Sequence, residues 1–153
     1  MSEFRFHHRI EVRFRDCDAM GHVNNAVYFT YLEEARFAYW REMLLGRVGP
    51  SPAMILARAE CDFRTPAVFG DVVEVRLRVA SLGRTSFTGE YEIVDSKNRH
   101  LIAAAKSVQV MYDYTARQPV PIPDDIRERI QDFEGKSLAL PKEQLAAMRR
   151  ASD

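Results

Sequence analysis

Two carboxylates, Asp16 and Asp18, stand either side of Cys17, and His22-Val23-Asn24-Asn25 and then Tyr28 follow within ten residues of the second. These are residue types that can act on a carbonyl. An ordinary aspartate is ionised at neutral pH, so it can serve as nucleophile or general base without a partner. The first amides of a helix have no partner inside it, and the helix dipole adds partial positive charge there. A helix beginning at Asn24 or Asn25, capped by either side chain, leaves neighbouring amides free to face a developing oxyanion.

The same residues have plainer uses. Asp16 and Asp18 suit a turn at a strand end, and Asp16 is expected to be structural, paired with an arginine. A metal at the Asp-x-Asp element would need more ligands than His22 adds, so none is expected. His22 serves equally as a polar bridge between loop and helix, and Asn24 as a simple N-cap. Tyr28, Phe29, Tyr31, Phe37 and Trp40 suit a core, or a pocket where a helix face meets a subunit seam. Glu34, on an apolar helix, needs either a partner or a function.

The elements that position these residues follow from periodicity. Ile10, Val12 and Phe14 alternate with Arg9, Glu11, Arg13 and Arg15, the pattern of a strand with one buried face that ends at Asp16. From about Asn24 to Leu45 the chain has no Gly or Pro and is apolar on nearly every face, with Gly46 as a stop. Such a helix belongs inside a sheet. Strands follow: Ala57, Ala59, Cys61 and Phe63; then Val73, Val75, Leu77 and Val79; then Phe87, Tyr91 and Ile93; then Leu101 to Tyr112. Turns at Gly70-Asp71, Leu82-Gly83 and the DSKNRH segment make antiparallel neighbours the expectation. PVPIP then breaks the sheet, DDIRERIQDF forms a short amphipathic helix opened by Asp124, and PKEQLAAMRRASD is a helical or frayed tail.

The fold class expected is therefore α+β, one antiparallel sheet of about five strands wrapped around one long central helix. A single domain spans residues 1–153, with a core at about 9–114 and a helical extension at 123–153. A lone sheet leaves open edges, so a homodimer or a homotetramer, a dimer of dimers, is expected. The chain carries 22 Lys plus Arg against 22 Asp plus Glu, which provides no overall field for nucleic acid or an anionic membrane. Its start, MSEFRFHHRIEVRF, has no apolar signal region, no run is long enough to span a bilayer, and Cys17 and Cys61 form no disulfide framework. A cytoplasmic protein is expected.

Asp18-x-x-x-His22-Val23-Asn24-Asn25-x-x-Tyr28, running into Leu32-Glu33-Glu34-Ala35-Arg36, resembles the hotdog-fold acyl-CoA thioesterases, both the 4-hydroxybenzoyl-CoA type and the long-chain acyl-CoA type. Its HVNN-x-x-Y element also resembles plant acyl-ACP thioesterases. The resemblance covers roughly residues 9–112. It implies a hotdog fold, Asp18 as the catalytic carboxylate and the Asn25 amide as the group that polarises the thioester carbonyl. The acyl-ACP branch implies catalytic or water-positioning roles for His22 and Asn25, and offers Glu34 as a matching glutamate. Asn24 and Tyr28 join the list as substrate-binding candidates. SLGRTSF resembles a stretch that lies near pantetheine and nucleotide, which makes Arg84, Thr85 and Ser86 candidates; a solvated hairpin tip explains them as well. Arg64, in FRTP, is a second basic candidate for the phosphates. The sequence has HVNNAV where the 4-hydroxybenzoyl-CoA type has apolar and aromatic residues, which weakens the case for an aromatic substrate.

The function expected is hydrolysis of an acyl-CoA to free acid and coenzyme A, which is part of the substrate, with no separate cofactor. Asp18 either attacks the carbonyl or activates water. Two alternatives stay open: an enoyl-thioester hydratase or dehydratase on the same fold, and a non-catalytic acyl-CoA binding module.

Overall fold

A computed structural model describes residues 4–138; the expected tail from Pro141 lies outside them. Five main strands, β1 (Phe6–Glu11), β2 (Met54–Phe63), β3 (Val72–Leu82), β4 (Ser86–Asp95) and β5 (Leu101–Asp113), form one antiparallel sheet in the order β1-β3-β4-β5-β2. A sixth, β6 (Gln118–Pro119), adds a two-residue pairing to β5, so the chain meets the sheet once more before PVPIP leads it away. Two helices complete the architecture, α1 (Asn25–Met43) and α2 (Asp124–Glu134).

The 19-residue helix α1 packs mainly on β3 and β1. Its inner stripe is Tyr28, Tyr31, Leu32, Ala35, Tyr39, Trp40 and Met43, all buried, at the spacing of one helix face. Val73, Val75, Leu77 and Val79 of β3 and Phe87, Tyr91 and Ile93 of β4 are buried too. Each such side chain contributes about 1.5–3 kcal/mol by leaving water. Trp40 meets Phe87 edge-on at 5.0 Å, and its indole N–H donates to Gln109 Oε1 at 3.3 Å. The outer flank of α1 is less covered than its composition suggests: Phe29 and Phe37 are 38% and 66% exposed.

Other boundaries also shift from the pattern reading. β1 starts at Phe6 and ends at Glu11, and Phe14 lies 78% exposed in a 3-10 turn over Phe14–Asp16. The Asp16 carboxylate takes the Arg13 N–H at 2.9 Å, bending the chain out of the strand before Phe14 can alternate inward. β2 is an edge strand whose register slips between Leu56 and Arg58, so Ala57 does not share a face with Ala59, Cys61 and Phe63 as simple alternation has it. Leu56 and Phe63 are 45% and 43% exposed.

Helix α2 closes the far end of the layers through Ile126 and Ile130, both fully buried. Its Glu134 is 6% exposed and its Oε1 accepts the Tyr39 hydroxyl at 2.9 Å and the Val79 N–H at 3.0 Å. Val79 stands where the β3–β4 register shifts, so this carboxylate satisfies an amide that the sheet leaves over.

Candidate active site

The two aspartates point to different environments. Asp16 is 3% exposed, and its Oδ2 accepts both the Tyr31 hydroxyl at 2.7 Å and the Arg13 N–H at 2.9 Å. Arg13 Nη2 lies 3.3 Å from its other oxygen, the arginine pairing expected of it. Burial pushes this carboxyl up, but the hydrogen bonds and the guanidinium outweigh it and hold it below the ordinary aspartate value.

Asp18 is exposed at the head of a small loop. Its N–H donates to the His22 carbonyl and its own carbonyl accepts from Gly21, both at 3.0 Å. Its Oδ1 accepts the Met20 N–H at 2.9 Å, while no donor among the described residues meets Oδ2. Gly21 takes φ +81°, a left-handed conformation that glycine adopts without strain. Cys17 and Val23 bridge the two sides of the loop, so the segment after Asp18 returns directly to the start of α1.

Asn24 is the N-cap. Its Oδ1 accepts the Ala26 N–H at 2.8 Å, its carbonyl accepts Val27 N–H at 2.9 Å, and its own N–H is spent on the Asp16 carbonyl at 2.9 Å. Asn25 lies between those satisfied amides, and no acceptor among the described residues meets its N–H. This amide sits at the positive end of a 19-residue helix, and Asn25 lines a cavity of about 250 Å³.

The cavity brings together His22, Asn25, Tyr28 and Arg64, with Val23, Phe63, Thr65 and Pro66 completing the wall. Tyr28 is 3% exposed, its ring 5.4 Å from Phe63, and its oxygen accepts the Ala67 N–H at 3.2 Å. The Ala67 carbonyl in turn accepts the Val23 N–H at 2.9 Å, which fastens the 63–67 segment across the helix start. Sequence reasoning singled out Arg64 here but missed Phe63, Thr65, Pro66 and Ala67. Pro66 was the available signal, because a proline just past an alternating run must end the strand and turn the chain.

Glu34 stands apart from this group. Its side chain is 44% exposed and faces β1, 3.9 Å from His8 Nε2. It lies nine residues beyond Asn25, about 13 Å along the helix axis. Arg84 and Thr85 lie in the β3–β4 turn and Ser86 opens β4, at the opposite end of the sheet. Ser86 pairs with Val110 of β5, whereas Phe63 beside the cavity pairs with Ala103, seven residues or about 23 Å away along the strand. The turn is tied down there by Thr85 O to Met111 N–H at 2.8 Å and Arg84 O to Ile122 N–H at 2.9 Å. Within one protomer, then, neither Glu34 nor this turn reaches the cavity.

Among the described residues no three His, Cys, Asp or Glu side chains are grouped to hold a metal, and no helix is long and apolar enough to cross a membrane.

Comparison with known proteins shows the family and the fold. A thioesterase of Thermus thermophilus, solved with coenzyme A and zinc, is 36% identical and superposes with a TM-score of 0.76 over 89% of this chain and 98% of its own. The 1,4-dihydroxy-2-naphthoyl-CoA hydrolase of Synechococcus elongatus is 31% identical over 87% of this chain and 96% of that protein. A putative esterase of Aquifex aeolicus is 31% identical over 83% of this chain and 98% of its own length. The profile of the Thioesterase-like superfamily matches residues 12–130, and the chain belongs to that family.

Proposed function

We propose that this chain hydrolyses an acyl-CoA thioester to free acid and coenzyme A, with Asp18 as nucleophile or general base and the Asn25 N–H as oxyanion donor. Its family makes it a thioester hydrolase; the proposal concerns the substrate and the residues. The observation that carries it is the Asn25 amide, unpartnered at a helix start, in a residue that lines a cavity together with His22 and Val23 of the loop that Asp18 heads; Asp18 itself stands outside the cavity wall. As the carbonyl carbon becomes tetrahedral, the charge that grows on its oxygen meets this N–H and the helix dipole. His22, on the cavity wall, is placed to orient water or the substrate. Arg64 offers a cation at the rim for the pantetheine or phosphate portion.

The site is also proposed to be completed by a second copy of the chain. A cavity of about 250 Å³ is small beside the roughly 300–1,000 Å³ of ligand sites. β2 is a free edge with half-exposed apolar side chains on its inner face. Pairing β2 with its symmetry mate would run the two strands antiparallel, so the partner's far end would come beside this protomer's cavity. That arrangement gives Arg84, Thr85 and Ser86 a route to the substrate that one protomer lacks.

The test is thiol release from short, medium, long and aromatic acyl-CoAs by the wild-type chain and by Asp18→Asn. The variant is expected to fold normally and to turn over at least about a hundredfold more slowly, a barrier increase of about 3 kcal/mol. A folded Asp18→Asn protein with near-normal turnover would overturn the assignment.

A further inference from the structure

We infer that Tyr28 is a second oxyanion donor, its phenolic O–H and the Asn25 N–H converging on one carbonyl oxygen. The inference rests on the thioesterase reading above and adds a catalytic side chain to it. Tyr28 is 3% exposed and stands on the wall of the cavity that Asn25 also lines. Its oxygen accepts the Ala67 N–H at 3.2 Å, and Ala67 is itself tied to two other residues of the wall, following Pro66 in the chain and accepting the Val23 N–H through its carbonyl.

That hydrogen bond uses only acceptor capacity. The one hydrogen bond the Tyr28 hydroxyl makes among the described residues is this accepted one, which leaves its proton to give. A buried O–H left without an acceptor costs about 1–3 kcal/mol, and a substrate oxygen in the cavity would relieve it. Tyr31, three residues on, shows the contrast: its proton is committed to Asp16 at 2.7 Å.

Position on the helix supports convergence. Tyr28 is three residues beyond Asn25, and helical side chains lean toward the N-terminus, so its ring reaches back over the first turn. Burial raises the Tyr28 pKa above the ordinary phenol value despite the opposing Ala67 N–H, so the proton stays in place at neutral pH. The hydroxyl therefore donates throughout and transfers nothing.

The step balances simply. On the water route Asp18 takes a proton from the water as its oxygen bonds to the carbonyl carbon, the C=O π pair moves onto oxygen, where both donors hold it, and on its return the C–S bond breaks and the thiolate takes up a proton to leave as coenzyme A. On the carboxylate route Asp18 bonds to the carbon, the same collapse expels the thiolate and leaves an acyl-aspartyl anhydride, and one water then cleaves that anhydride to release the acid and regenerate the Asp18 carboxylate.

Tyr28→Phe in the full chain is expected to lower kcat about a hundredfold with KM within about threefold, the behaviour of one lost oxyanion donor. A trifluoromethyl ketone analogue of the acyl-CoA, which binds as a tetrahedral adduct, should bind Tyr28→Phe weaker by a similar factor, while a non-hydrolysable thioether analogue binds unchanged. Unchanged kcat, or equal weakening of both analogues, overturns the inference. Because Tyr28→Phe also strips Ala67 of its acceptor, 3-fluorotyrosine placed at position 28 provides a variant that keeps both hydrogen bonds. Its more acidic O–H should change kcat, and an unaltered kcat again overturns the inference. Asp18→Asn is measured alongside: full activity there removes the thioesterase assignment itself, whereas an inactive Asp18→Asn with an unimpaired Tyr28→Phe removes only the second donor.

Discussion

The Tyr31 hydroxyl and Asp16 Oδ2 lie 2.7 Å apart inside the core, whereas Asp18, two residues on, stands in solvent. One short motif thus divides into a buried anchor and an exposed carboxylate, the one proposed to react. Asp16→Ala is expected to lose about 2–4 kcal/mol, since it leaves the Tyr31 O–H and the Arg13 N–H without their acceptor. Asp18→Ala should stay within about 0.5 kcal/mol of wild type while losing turnover. Urea denaturation at pH 7 beside a thiol-release assay measures both. Similar stability losses in the two variants would contradict the division.

Asp16 and Glu74 both point to loss of stability in acid. Glu74 is 9% exposed; burial pushes its carboxyl up, but the Arg76 hydrogen bond, His7 and Arg99 hold it below the ordinary glutamate value. Both carboxyls are lower in the folded chain than in the unfolded one. Their stabilisation is therefore full above the ordinary carboxylate values of about 4 and falls as pH drops toward the folded values, because the unfolded chain takes up protons first. Denaturation midpoints followed from pH 7 to pH 3 should decline below about pH 5, and a Glu74→Gln variant should show a shallower decline.

The sequence made the helix start legible because its signals are local. Asn24 caps through a bond two residues away, and the polar HVNN ahead of an apolar run marks that position without tertiary knowledge. What stayed hidden is held by distant pairings. Tyr31 reaches Asp16 across 15 residues, Tyr28 reaches Ala67 across 39, and Glu134 reaches Tyr39 across 95. Periodicity reports which face a side chain occupies, and it is silent on which strand lies opposite. Glu34 and Arg84 show the same limit: a matching motif fixed their place along the chain and left their place in space open.

Glu134 supplies a test of the far end of the fold. Replacing it with alanine leaves the Val79 N–H and the Tyr39 O–H buried and unpaired, at about 1–3 kcal/mol each. Glu134→Ala should therefore lower stability by about 2–5 kcal/mol, while kcat in the folded fraction stays within about twofold, since Glu134 is buried against Tyr39 and Val79 and lies outside the cavity wall. A loss of activity beyond the loss of folded protein would mean that α2 takes part in the site.

Arg64 lies on the cavity wall and is exposed. As a contact to a phosphate or pantetheine group it should contribute binding felt equally in the ground and transition states. Arg64→Ala is then expected to raise KM about fivefold, about 1 kcal/mol, with kcat nearly unchanged. Raising ionic strength should increase the wild-type KM more than that of the variant. A fall in kcat at constant KM would instead place Arg64 at the reacting carbonyl.

Arg84 tests the proposed second subunit, because the β3–β4 turn lies about 23 Å along the sheet from the cavity of its own protomer. Antiparallel pairing of β2 with its symmetry mate brings the other copy's turn to that end, so Arg84→Ala should raise KM despite its distance. Leu56→Asp and Phe63→Asp put charge on the half-exposed apolar side chains of the β2 edge available to such a seam. Each should shift the mass seen by light scattering toward the monomer and lower kcat/KM, and in those monomers Arg84→Ala should have no further effect on KM. A monomeric wild-type protein with full activity would show that one protomer builds the whole site, and Arg84 would then have no part in it.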